Sequence, residues 1–178
     1  IVEMANYITS NAQLRDGERF NFHGAHLRFE NDASDWVKNM GGKEVLLYNY
    51  MKAMDRAGFN QTYRVYLASG LLTYGATEEL DNILATFRFY DLGGEFLFKE
   101  AFLLPEELDK LKSEQMALVD FLVLSKAEKF VGFDASSFSY FLREYRALEG
   151  RAKNTTRFAN SQARGTVKLF KEAGTVTG

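Results

Sequence analysis

An α/β fold of Rossmann-like type, a parallel sheet with helices on both faces, is what this 178-residue sequence predicts. Three observations lead there. Short β-branched and aromatic runs alternate with longer segments of helical period, the pattern of a parallel sheet covered on both sides. The runs stop at glycines or at knots of polar residues, where connecting loops belong. The composition, 46% hydrophobic and 26% charged, is that of a globular domain with a core of its own.

The elements follow in order. Residues 1–15 fit a helix, with Ile1, Met4, Ala5, Ile8 and Ala12 at helical spacing. FNFHGAHLR, 20–28, reads as the first strand. A polar loop leads to a helix over about 43–57, stopped by Gly58. TYRVYLASG, 62–70, is the second strand, and 77–87 is a helix with Leu80, Ile83, Leu84 and Phe87 as its apolar stripe. GEFLFK, 94–99, is the third strand. Pro105, the only proline, stands at a first helical position, and that helix is expected to run to 124. KFVGF, 129–133, is the fourth strand. A last helix places Phe138, Phe141, Leu142 and Tyr145 on one face and stops at Gly150. Four strands and about as many helices make one Rossmann-like unit over 1–150. The remainder, 151–178, is polar, carries one amphipathic stretch near 162–171, and reads as a peripheral tail.

Several function classes drop out. A net charge of −2 supplies no global positive field for a nucleic acid. No apolar run approaches the roughly 20 residues of a membrane-spanning helix. The absence of cysteine removes disulfides and thiolate metal sites, and two histidines, at 23 and 26, do not make a His-rich metal centre. GxGxxG, the P-loop, GxSxG and HExxH are all missing. The first residues, IVEMANYITSN, carry no secretory leader pattern and read as the middle of a domain.

In an open parallel sheet, ligands bind beyond the carboxyl ends of the strands. The first strand delivers His26 and Arg28 to that edge, and alternation puts Gly24, His26 and Arg28 on one side. A guanidinium, with five donors in a fixed fork, suits a phosphate. The alternative is a strand end emerging into solvent, with Arg28 paired to Asp32. The loop FDASSFS offers the hydroxyls of Ser136 and Ser137, and the N–H groups of a helix start, to an anion. An ordinary N-cap at Ser136 or Asp134 would explain the same residues. Asp120, in MALVDFLVL, has Met116, Ala117, Val123 and Leu124 as its helical neighbours, so it is at least partly buried and needs donors. Arg28, backbone N–H groups or a bound base such as guanine would serve, and so would an internal pair that stitches the helix to a loop. Phe20, Phe22, Phe87, Phe138 and Phe141 read as core, not as a stacking platform.

Taken together, HLRFEND, VYLASG, FKEAFLLPEEL and ALVDFLVLSKAEKFVGFDASSFS resemble, in that order, the GDP-fucose protein O-fucosyltransferase family, and most of all its plant-type members. The resemblance spans roughly 20–146. It implies one lobe of a GT-B glycosyltransferase, the C-terminal nucleotide-sugar-binding lobe, with an N-terminal lobe that this chain lacks. It implies that His26 and Arg28 contact the donor, with Arg28 on the diphosphate as the catalytic group, and that Asp120, Ser136, Ser137 and Phe138 lie on the nucleotide side of the cleft. The expected partners are a nucleotide sugar and a protein or glycan acceptor. The resemblance further implies GDP-fucose as the expected donor, a transfer without metal or cofactor, and a setting in the secretory pathway, in the Golgi. The SSFS loop departs from the plant-type pattern toward the animal-type enzymes, and 151–178 match nothing in the family. A related rhamnosyltransferase branch uses a UDP sugar, and a non-catalytic binding or structural lobe is the third alternative.

Overall fold

The computed structural model describes residues 1–30 and 34–161. Helix α1 (Val2–Ala12) buries Ala5, Ile8 and Ala12, the stripe its spacing predicts. A small hairpin follows, β1 (Leu14–Arg15) and β2 (Glu18–Arg19), turning on Asp16 and Gly17, both at positive φ. The helix expected over 1–15 therefore stops at Ala12, because the Asp-Gly pair favours a tight hairpin turn.

Five parallel strands make the main sheet: β3 (His23–His26), β4 (Arg64–Ala68), β5 (Glu95–Leu97), β6 (Phe130–Phe133) and β7 (Thr156–Ala159). Their spatial order is β5-β4-β3-β6-β7. The chain steps outward from β3 through β4 to β5, then returns to lay β6 on the other side of β3. That reversal is the topological switch of a Rossmann-like fold. Between β3 and β4 lie α2 (Ser34–Met40) and α3 (Lys43–Ala57), and α4 (Thr77–Phe89) joins β4 to β5. Two helices, α5 (Pro105–Leu108) and α6 (Ser113–Lys126), precede β6, and α7 (Ser137–Leu148) precedes β7.

Strand alternation splits the core in two. Ala25, Leu27 and Leu67 pack with Tyr50, Leu84 and Phe87 under α3 and α4. Phe22, Tyr66 and Ala68 pack with Ile8, Val123 and Leu142 under α1, α6 and α7. Gly24 lets α6 lie close against β3: a Cβ there would meet Leu124 Cδ2 at 2.5 Å.

Four further expectations need correction. The first strand is His23–His26, not 20–28, and Phe20 is half exposed instead of core. The helix begun by Pro105 is a single turn, and a separate helix starts at Ser113. In α7 the buried stripe is Ser139, Leu142 and Arg146, while Phe141 is 65% exposed. Polar side chains with internal partners displaced the aromatics from that face. Finally, the segment read as a tail contains the fifth strand. As an edge strand it is packed on one flank only, so Thr156–Ala159 never needed an apolar run. The amphipathic stretch at 162–171 lies outside the described residues.

Candidate functional site

The carboxyl ends of β3, β4 and β5 open into one pocket. His26, Arg28, Glu30, Lys99, Asp120 and Phe138 contribute to its walls. Each arrives there for a local reason.

His26 is the last residue of β3 and projects toward the α6–α7 face. Its Nδ1 lies 2.9 Å from the Ser139 hydroxyl, and its ring is 4.3 Å from that of Phe138. Burial, then the charge of Arg28, lowers its pKa to about 3, so the imidazole is neutral at physiological pH. Two residues on, the Arg28 side chain is one-third exposed and reaches Glu30 at 3.4 Å. The backbone between them is held from α3: Tyr50 Oη donates to the His26 carbonyl at 2.8 Å and accepts from the Arg28 N–H at 3.1 Å.

Glu30 is buried, and one of its oxygens accepts from the Gly70 N–H and lies 3.4 Å from the Ser69 hydroxyl. Gly70 permits this approach, since a Cβ there would meet Glu30 Oε1 at 2.9 Å and the Tyr74 ring at 2.8 Å. The loop after β4 is thereby tied to the loop after β3. Asp32, the partner expected for Arg28, lies outside the described residues.

Asp120 is buried and holds two internal donors: Tyr66 Oη at 2.7 Å and Lys99 Nζ at 2.9 Å. Lys99 also lies 3.2 Å from Glu100. Burial works against the charge on Lys99, but Asp120 and Glu100 outweigh it and hold the ammonium above its usual pKa. Burial pushes Asp120 up, and Lys99 and Tyr66 pull it back. Of the donors considered from sequence, none is the one found. Lys99 closes the run read as the third strand but lies two residues beyond β5, and Tyr66 sits mid-strand, so neither announced itself.

Ser136 is the N-cap residue of α7, yet its side chain makes no cap hydrogen bond. Asp134, the other cap candidate, instead accepts from the Ser161 N–H at 2.8 Å. Among the described residues no side chain covers the first-turn N–H groups of α7. Ser137 is exposed, and Ser136 is partly buried. Both stand at the helix start, one and two residues before Phe138, and outside the pocket walls themselves. Ser139, which sequence reasoning passed over, is the fully buried member of this segment. Among the described residues no group of three or more His, Asp or Glu side chains converges as a metal site.

A histidine and an arginine at the end of a central strand, facing an uncapped helix start, would suit many anions. The chain as a whole is more specific: the family model described as GDP-fucose protein O-fucosyltransferase matches residues 1–149. The chain belongs to this family. Its members are glycosyltransferases of the fucosyltransferase type and typically work in the secretory pathway. The match ends just after α7, so β7 completes the sheet beyond it. No curated protein matches the chain. No helix among the described residues is long and apolar enough to cross a membrane.

Proposed function

We propose that this chain is the donor-binding lobe of an inverting, metal-independent GT-B enzyme that moves fucose from GDP-fucose to a hydroxyl of a protein or glycan, in the Golgi. The observation that carries the reading is the meeting of His26 and Arg28 in one pocket at the carboxyl edge of the sheet, with the uncapped start of α7 beside Phe138. When the bond from the sugar's anomeric carbon breaks, its electron pair leaves with the diphosphate. Arg28 neutralises that developing charge, and the N–H groups and hydroxyls at Ser136 and Ser137 bind the phosphates from the other side. Glu30 does not oppose this. Its charge is already held by the Gly70 N–H, so Arg28 can turn from it to a phosphate without stranding a buried carboxylate. Asp120 keeps lone pairs beyond those given to Lys99 and Tyr66 and can accept from a base at the pocket floor. The protein or glycan acceptor supplies the hydroxyl, and the base that takes its proton belongs to the N-terminal lobe across the cleft.

Calorimetric titration with GDP, UDP and GDP-fucose, with and without EDTA, tests the reading. GDP and GDP-fucose should bind, UDP more weakly, and EDTA should change nothing. A preference for UDP would move the chain to the rhamnosyltransferase reading. Binding of none of the three would leave a structural lobe.

A further inference from the structure

Ser139 sits in the first turn of α7, fully buried, and makes two contacts. The Phe133 N–H donates to its hydroxyl oxygen at 3.1 Å, and His26 Nδ1 lies 2.9 Å away. Gly132 makes the approach possible, since a Cβ there would meet Ser139 Cβ and Oγ at 2.7 Å. A hydroxyl has one proton. The amide can only donate, so the oxygen is already accepting, and the Ser139 proton has one acceptor among the described residues, His26 Nδ1. The reverse arrangement, with the proton on Nδ1, would leave the Ser139 proton buried without an acceptor. The other ring nitrogen, Nε2, makes no hydrogen bond among the described residues, and the ring forms part of the pocket wall.

We infer that Ser139 is a positioning residue that locks His26 in the tautomer protonated on Nε2, so that the imidazole meets an oxygen of the bound donor as a neutral hydrogen-bond donor. The inference rests on the donor-binding reading above and deepens it. Phe138 and the Tyr50 contact to the His26 carbonyl hold the ring and its backbone in the same pose. The chemistry is then constrained. With Nε2 already protonated and the ring uncharged, His26 cannot take the acceptor's proton. It can only stabilise negative charge on an oxygen, beside Arg28.

The imidazole nitrogens report this directly in the histidine-¹⁵N-labelled 178-residue chain. With two histidines in the sequence, His23→Phe assigns the signals. His26 Nδ1 should resonate as an unprotonated nitrogen and Nε2 as a protonated one throughout pH 6–8. In Ser139→Ala the two shifts should move toward each other as the second tautomer appears. Ser139→Cys, a weaker donor in the same place, should fall between and covers the case in which the alanine variant does not fold. GDP affinity should drop roughly 3- to 10-fold in Ser139→Ala, and not at all when the same change is made in His26→Ala. A protonated Nδ1 in the parent overturns the assignment. An equal affinity loss in both backgrounds overturns the coupling and makes Ser139 a packing residue. If the parent binds no GDP, the donor-binding reading fails and takes the functional half of the inference with it, while the nitrogen shifts still judge the tautomer lock.

Discussion

Arg146 and Arg28 stand at opposite ends of the same sheet and are held in opposite ways. Arg146 is 1% exposed, near the amino ends of β6 and β7. Its Nη1 donates to the carbonyls of Leu124, Ser125 and Ala127, its Nη2 to the Glu128 carbonyl and the Thr155 hydroxyl, and its Nε to the Thr156 hydroxyl. It satisfies the last carbonyls of α6 and links them to the start of β7. Burial, then Arg151, lowers its pKa to about 10, which leaves it charged at neutral pH. None of those six bonds goes to a carboxylate. Arg28, at the carboxyl end, is one-third exposed and meets a carboxylate at 3.4 Å. A guanidinium saturated by neutral oxygens of its own chain serves the fold. One held by an acid that has a second donor of its own can exchange that acid for a phosphate.

Removing each side chain in turn tests the contrast. Arg146→Ala orphans several buried carbonyls and should lose on the order of 4 kcal/mol of stability in urea denaturation. A loss below about 1 kcal/mol would show that Arg146 is not the staple its bonds describe. Arg28→Ala should do the reverse. Stability should change by about 0–1 kcal/mol, while turnover of the complete transferase falls about 10²–10³-fold. Arg28→Lys, which keeps the charge but not the fork, should lie between.

Asp120→Asn comes next. The loss of a charged acceptor for Lys99 should cost about 1.5–3 kcal/mol of stability. GDP affinity measured on the same protein separates the internal role from the ligand role: unchanged affinity would confine Asp120 to the ion pair.

The smallest effect concerns acid. His23 is buried between Tyr63 and Phe59, ring centroids at 4.0 and 4.7 Å, and its Nδ1 has no hydrogen-bond partner among the described residues. Burial lowers its pKa to about 4, and that of His26 lies near 3. Between these values and the ordinary 6.5 the unfolded chain binds more protons than the folded one. Their contribution is therefore complete above pH 6.5 and is lost as pH falls, by at most about 1.4 kcal/mol per pH unit for each histidine. Asp120, whose folded pKa is raised, has the opposite sign in its own window above 3.8 and softens the slope. His23→Phe should keep its stability at pH 7 and lose less than the parent between pH 6.5 and 4.5. An unchanged slope would clear His23 of any part in acid sensitivity.

Much of this was legible from the sequence because it depended on neighbours in the chain. The stripes of α1 and α4, the glycine stop of α3 and the delivery of His26 and Arg28 to a strand end all follow from local periodicity. What escaped notice depended on distant partners. Asp120 could be recognised as a buried acid, but its donors lie 21 and 54 residues away. Ser139 looked like one hydroxyl among several, and only its contact across 113 residues distinguishes it. Arg146 lies on the helix whose spacing predicts a buried face of Phe138, Phe141, Leu142 and Tyr145, and its partners include Leu124 on α6 and Thr156 on β7. β7 was hidden because an edge strand can draw its stability from a neighbour's backbone.

The Tyr50 hydroxyl has a wider effect than its two bonds suggest. Along β3, Gly24 faces β6, as its N–H bond to the Lys129 carbonyl shows, while Leu27 faces β4 through the Ala68 carbonyl. The His26 carbonyl and Arg28 N–H therefore point to the side where β6 would continue. The β3–β6 register nonetheless ends at Ala25 and Val131. The phenol of α3 occupies the next rung, so the two central strands can part without leaving a bare amide or carbonyl. It acts as a wedge that splits the sheet along its midline, and the crevice it opens is the space that Ser139 crosses to reach His26.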